Sequence, residues 1–191
     1  MIKLGLTGNL GSGKTSVAKV FESFGFKIFY ADDIAKDLYK IPSIKTEIES
    51  LLNTSISTYN GEINYKLIAD KYFFDSTIYK KINEILYPVL QKKIKTETEL
   101  LSSNVIVEAA MLFEIGLESF FDYIITVSTP LEERMNRVFK RNGFEKDEFM
   151  IREDMQSDPL LKEAKSDFII YNNEQSSVIE QVNDILNKIN Y

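Results

Sequence analysis

Gly8-Asn9-Leu10-Gly11-Ser12-Gly13-Lys14-Thr15 constrains this chain more than any other segment, because it satisfies the pattern GxxxxGK(S/T). In that pattern the glycines let successive backbone N–H groups turn inward around phosphate oxygens, and the lysine adds a point charge. Thr15 puts a hydroxyl where a Mg2+ ion bridging the β- and γ-phosphates of a nucleotide needs a ligand. The apolar run Ile2 to Thr7 precedes the glycines, and Val17, Val20, Phe21 and Phe24 recur at helical spacing after them. The predicted setting is therefore strand, loop, helix, with the positive end of the helix facing the same anion. Gly8, Asn9, Leu10, Gly11, Ser12, Gly13, Lys14, Thr15 and Ser16 are the expected nucleotide-binding residues. The plain alternative is a Gly-rich turn with a solvated lysine, yet composition alone produces the pattern only on the order of once per hundred chains of this length.

Composition narrows the chemistry around such a loop. The chain has 191 residues, 44% of them hydrophobic, enough for one globular unit with a real core. Lys+Arg number 23 against 29 Asp+Glu, a net charge of -6, so the broad basic footprint of a dedicated nucleic-acid binder is missing. Cys 0 excludes thiolate nucleophiles, disulfides and Cys-bound metals, and His 0 excludes imidazole bases, His metal ligands and Ser/His/Asp triads. Catalysis must run on carboxylates, Lys, Arg, Tyr, hydroxyls, backbone amides or an oxygen-bound metal. The N-terminus lacks the pattern of a cleavable leader, and no apolar run approaches the ~20 residues of a membrane span. The expectation is a cytoplasmic enzyme with no membrane and no nucleic-acid partner; the oligomeric state stays open.

Phe26 to Tyr30 reads as a second buried strand after the helix stop at Gly25, which closes a βαβ unit and implies a parallel sheet. From Ala31 to about Leu101 the pattern turns helical, with Tyr59-Asn60-Gly61 as its clearest turn. Strand-like runs return at Asn104 to Glu108, Asp122 to Ser128 and Asp167 to Tyr171, separated by helical patterns at Leu131 to Arg141 and Glu145 to Met155. Ser176 to Ile189 closes the chain as an amphipathic helix.

Three further features carry chemistry. Asp32 and Asp33 follow the second strand at the carboxyl end, where an open α/β sheet binds ligands. One of them could orient an acceptor hydroxyl and take its proton, or the pair could cap a helix. Arg134, Arg137 and Arg141 recur at spacings of three and four, a positive stripe suited to clamping a transferring phosphate. The other use of such a stripe is a solvated face balanced by Glu132 and Glu133. Glu108 ends the run Val105-Ile106-Val107, either as a holder of magnesium-bound water or as a strand-end surface residue.

Together these residues resemble the dephospho-CoA kinase family. Leu4 to Lys14 is similar to that family's opening, and Tyr30-Ala31-Asp32-Asp33-Ile34-Ala35 resembles its Asp-Ala-Asp-x-Ile-Ala segment. Met111-Leu112-Phe113-Glu114 resembles the end of its Pro-Leu-Leu-x-Glu motif, and Arg137 and Arg141 match its lid arginines. Arg152, Gln156, Lys162, Asp167 and Asn172 fall at spacings similar to its later elements. Tyr30, Tyr87, Ala110 and Glu174 stand where the family usually has Asp, His, Pro and Gly.

The resemblance implies an α/β P-loop NTPase fold with a parallel five-stranded sheet flanked by helices. It implies one kinase unit over 1–191: a nucleotide-binding core (1–31, 102–136 and 166–191), a helical acceptor-binding insertion (32–101) and a small helical lid (137–165). The implied reaction moves the γ-phosphoryl of MgATP to the ribose 3′-hydroxyl of dephospho-CoA, giving CoA and ADP in the last step of coenzyme A synthesis. Asp32 would be the base, Lys14, Arg137 and Arg141 would complete the catalytic set, and Thr15 and Glu108 would serve Mg2+. The alternatives are another small-acceptor P-loop kinase of nucleoside-monophosphate or shikimate type, or a nucleotide-dependent switch. The chain has no NKxD base-reading motif, which counts against the switch.

Overall fold

A computed structural model describes residues 1–191. Each of the five runs expected as strands forms one: β1 (Lys3–Thr7), β2 (Lys27–Tyr30), β3 (Val105–Glu108), β4 (Tyr123–Ser128) and β5 (Phe168–Tyr171). All pairings are parallel, in the order β2-β3-β1-β4-β5. The helices are α1 (Lys14–Ser23), α2 (Ala31–Leu38), α3 (Pro42–Leu52), α4 (Tyr65–Phe74), α5 (Ser76–Glu99), α6 (Leu112–Ile115), α7 (Leu131–Asn142), α8 (Lys146–Asp154), α9 (Pro159–Ala164) and α10 (Val178–Lys188). The chain divides into two compact units, Met1–Tyr30 with Glu97–Tyr191, and Ala31–Thr96.

In the first unit the sheet is buried between layers, which explains why its central strands are almost continuously apolar. Leu4 and Leu6 of β1, Ile106, Ile125, Val127 and Ile170 meet Val17, Ala18 and Phe21 of α1 and Val182, Ile185 and Leu186 of α10 in one core. The polar residues at the head of three expected strands lie just outside them and have a different task. Asn104, Asp122 and Asp167 accept the N–H groups of Ile2, Lys3 and Ile124, each at 2.7 Å. These are amides at the starts of neighbouring strands, which a short parallel sheet would otherwise leave without acceptors.

Register aligns the carboxyl ends. Leu6 and Tyr30 both pair with Glu108, Thr7 pairs with Thr126, and Ser128 pairs with Tyr171. With β3 on one side of β1 and β4 on the other, strand order reverses beside the end of β1, the point where open α/β sheets bind ligands.

The second unit is helical, with Leu38, Ile44, Ile48, Ile56, Ile68, Ile82, Leu86 and Leu90 buried. Ile82, Leu86, Leu90 and Ile94 recur every four residues along α5, which keeps one face apolar despite Pro88 inside the helix. The expected turn at Tyr59-Asn60-Gly61 is present: Ser57 and Ile63 form an antiparallel bridge around it. Tyr72 donates to Asn83 Oδ1 at 2.8 Å and lies against the ring of Tyr79. No helix is long and apolar enough to cross a membrane.

Candidate active site

The loop that follows β1 is held in its shape by the residues around it. Gly8 has φ 144°, and a Cβ there would lie 2.5 Å from the backbone oxygen of Val127. Gly13, with φ 88°, is the last residue before α1, and a Cβ there would lie 2.2 Å from Asn172 Nδ2. Both positions demand glycine, for backbone angle and for space. Helix α1 starts without a capping side chain, so its positive end faces the loop uncovered by a carboxylate or hydroxyl of its own. Lys14 is the first residue of that helix and is buried; its Nζ donates to the carbonyls of Gly8 at 2.9 Å and Asn9 at 3.4 Å. The ammonium is thus drawn across the loop, where a phosphate would meet it. A glycine cradle, an uncapped helix start and a buried ammonium are the donor set a polyphosphate requires.

Thr15 Oγ1 donates to Glu108 Oε2 at 3.0 Å. Glu108 is half-buried at the end of β3 and meets the phosphate loop through this hydrogen bond. No cluster of three or more acidic, His or Cys residues able to hold a metal exists in the chain. An ion at Thr15 and Glu108 would therefore need phosphate oxygens and water to complete its shell, the usual situation of Mg2+ on a nucleotide.

The arginine stripe divides, and one member must be corrected. Arg134 is not a phosphate clamp: it is 4% exposed and forms a two-pronged pair with Glu153, at 2.6 and 2.7 Å. Two further N–H groups go to the carbonyls of Thr129 at 3.1 Å and Leu10 at 3.2 Å. Four of the five donors of the fork are thus committed to the fold. Arg137, one turn on, is half-exposed; it donates to the carbonyl of Asn172 at 2.9 Å and that of Ser12 at 3.4 Å, and pairs with Glu133 at 3.2 Å. Arg141 is exposed near the end of α7, with Asn142 Oδ1 as its neighbour at 2.8 Å.

The chain from Glu153 to Ser157 braces the other side of the loop. Asn9 Nδ2 donates to Glu153 Oε1 at 3.1 Å and to the Ser157 carbonyl at 3.2 Å. Gln156 Oε1 accepts from the Leu10 N–H at 2.9 Å, and the Ser157 N–H donates to Glu114 Oε1 at 2.7 Å. Close by, Lys162 of α9 is fully buried, with Nζ on the Ala110 carbonyl at 2.7 Å and 3.7 Å from Glu114 Oε1. Burial pushes this ammonium down to about 8, Glu114 pulls the other way, and the charge of Lys14 adds to the fall.

Thr129 escaped the sequence reading. Its hydroxyl lies 3.0 Å from both the Ser12 and Asn172 carbonyls. The available signal was positional, since it is the first residue past β4 on the ligand edge of the sheet. Glu153, within the helical pattern of α8, carried no signal at all.

Asp32 and Asp33 belong to the second unit. The helix begins at Ala31, so both lie inside the first turn of α2, where the helix dipole favours carboxylates, and neither is a capping residue. Both are exposed, and Asp33 pairs with Lys36 at 3.0 Å. Tyr87 lies on α5, half-buried.

Comparison with known proteins adds the family. The dephospho-CoA kinase family model matches residues 2–177. The dephospho-CoA kinase of Fusobacterium nucleatum is 32% identical over 173 residues, covering 89% of each chain. That of Carboxydothermus hydrogenoformans is 31% identical over 193 residues, covering 97% of this chain and 93% of its own. Among solved structures, a Thermus thermophilus protein superposes with a TM-score of 0.83 at 26% identity, over 98% of this chain and 97% of that one. The Campylobacter jejuni dephospho-CoA kinase does so at 0.71 and 23% identity, over 98% and 96%, and shares the fold. A P-loop at the switch point of a parallel five-stranded sheet, matched nearly end to end by the family model and by relatives of that name, means that this chain belongs to the dephospho-CoA kinase family of ATP-dependent kinases.

Proposed function

We propose that the chain transfers the γ-phosphoryl group of MgATP to the ribose 3′-hydroxyl of dephospho-CoA, releasing CoA and ADP, and that it acts in the cytoplasm. The observation that carries the phosphoryl-transfer half is Lys14 drawn across the loop carbonyls next to the Thr15–Glu108 pair. The acceptor rests on the family. In this role the amides of Gly8 to Ser16 hold the β- and γ-phosphates, and Lys14 neutralises charge between them. Thr15 and Glu108 would hold Mg2+, directly or through its water, which when bound would supply charge neutralisation at the transferring phosphate. Arg137 and Arg141 stabilise the charge that develops on the equatorial oxygens, whereas Arg134 is committed to Glu153. Asp32 orients the 3′-hydroxyl and accepts its proton as the oxygen–phosphorus bond forms and the bond to ADP breaks.

The test is an acceptor panel in an ADP-release assay with dephospho-CoA, nucleoside monophosphates and shikimate. Dephospho-CoA is expected to be preferred, in a Mg2+-dependent reaction, with the new phosphate on the ribose 3′ position by phosphorus NMR. Preference for another acceptor, or ATP hydrolysis indifferent to dephospho-CoA, would overturn the proposal.

A further inference from the structure

One backbone carbonyl in the phosphate loop attracts an unusual number of donors. Ser12 O accepts from Asn172 Nδ2 at 2.7 Å, lies 3.0 Å from Thr129 Oγ1, and has Arg137 Nη1 at 3.4 Å. The donors come from three places in the chain: the residue after β4, the residue after β5, and α7. They are also tied to one another. The Asn172 carbonyl accepts from Arg137 Nη2 at 2.9 Å and lies 3.0 Å from Thr129 Oγ1, so the single threonine proton is shared between two carbonyls. Asn172 itself is anchored by its N–H on the Ser128 carbonyl at 2.9 Å, which continues the β4–β5 ladder by one residue. The side-chain orientation follows from the partner, since a carbonyl can only accept and so must face the amide nitrogen.

A trans peptide makes this consequential. The C=O of Ser12 and the N–H of Gly13 belong to one planar unit and point in opposite directions. Drawing the carbonyl towards β4 and β5 turns the Gly13 N–H to the other side of the loop. Gly13 is the glycine directly before the lysine in GxxxxGK(S/T), one of the positions whose amides cradle phosphate. At φ 88° the residue has no Cβ to hold its orientation by packing, so the peptide needs an external hold.

We infer that Thr129 and Asn172 are positioning residues of the nucleotide site, which hold the Ser12 carbonyl so that the Gly13 N–H is aimed at a nucleotide phosphate. They touch the loop and act through it. This rests on the nucleotide half of the proposed function and is independent of the acceptor.

The test is binding of ADP and of adenosine, without acceptor, to the intact chain and to Thr129→Val, Thr129→Ser and Asn172→Ala. A hold on one phosphate-binding amide predicts that Thr129→Val and Asn172→Ala each weaken ADP by about tenfold, the scale of one hydrogen bond, with adenosine changed less than about twofold. Thr129→Ser, which keeps the hydroxyl, should bind ADP as the parent does. In 15N-resolved spectra the shift of the Gly13 amide on adding ADP should shrink in Thr129→Val, a readout available even where affinity changes little. Parent-like ADP affinity and an undiminished Gly13 shift in both Thr129→Val and Asn172→Ala would overturn the inference. So would equal losses for ADP and adenosine. A parent chain that binds ADP normally but rejects dephospho-CoA would sink the proposed acceptor and leave this inference standing.

Discussion

The phosphate-loop face and the helical unit Ala31–Thr96 treat charge in opposite ways. Around the loop, Lys14, Arg134 and Lys162 are buried, and each ammonium or guanidinium is matched to named carbonyls or carboxylates. In the helical unit the ion pairs Asp33–Lys36 and Asp37–Lys40 lie in solvent, three residues apart on one helix and just past its end. The buried groups have one geometry each, because a buried charge without its partner is costly. The exposed pairs can exchange their partners for water at little cost. The phosphate side is therefore preorganised by the fold. The carboxylates of α2 keep the rotamer freedom that a group serving an incoming hydroxyl can use.

The largest effect that can break this contrast comes from the exposed side. Asp32→Asn should lower the maximal rate by about 10²- to 10⁴-fold, the range for loss of a general base, while leaving the thermal transition in place. Asp33→Asn, whose carboxylate already pairs with Lys36, should be milder. Steady-state rates with saturating ATP and dephospho-CoA decide the matter; the reverse order of losses would move the base by one residue.

Stability sharpens the comparison at an intermediate scale. Arg134→Met leaves Glu153, only 11% exposed, without its counter-charge and should cost about 3–5 kcal/mol in denaturant unfolding. Lys36→Ala removes a pair whose side chains are 58% and 69% exposed, and should cost no more than about 0.5 kcal/mol. Similar losses in the two variants would erase the distinction between the regions.

The smallest expected effect is a slope. Lys162 releases its proton near pH 8 in the folded chain and near 10.5 when unfolded. Below about 8 both states hold the proton; between 8 and 10.5 the unfolded state holds more, so stability should rise with pH across that window. Buried Tyr39 and half-buried Tyr72 act in the opposite sense from about pH 10, because desolvation raises their phenols and the folded state then holds more protons. Chemical denaturation at pH 7.5, 8.5 and 9.5 should show the rise in the parent and a flat profile in Lys162→Met. A rise that persists in Lys162→Met would assign the slope to another group.

How far these features were legible from the chain depended on the range of the interactions behind them. The loop Gly8 to Thr15 was readable because its glycines, lysine and hydroxyl act within one turn of chain, and the strands because burial on both faces leaves an apolar run. Arg134 and Arg137 looked alike because helical spacing reports an angular sector and not what that sector meets. Helix α9 was missed: six residues starting at Pro159 carry too few turns for a periodicity, and Lys162 was read only as a likeness in spacing.

Residues 2 to 24 thus specified, unaided, a strand, an anion-binding turn and a helix, since the backbone angles and donors involved are properties of neighbours in the chain. Tertiary structure alone decided which arginine serves the fold, which carbonyl is clamped and which lysine is stripped of water. Those outcomes rest on contacts such as Asn172 to Ser12, 160 residues apart, and Asn9 to Glu153, 144 apart. A charged side chain looks the same in sequence whether its partner is water or a buried carboxylate. Only the packed fold removes the water, and with it the freedom to choose another partner.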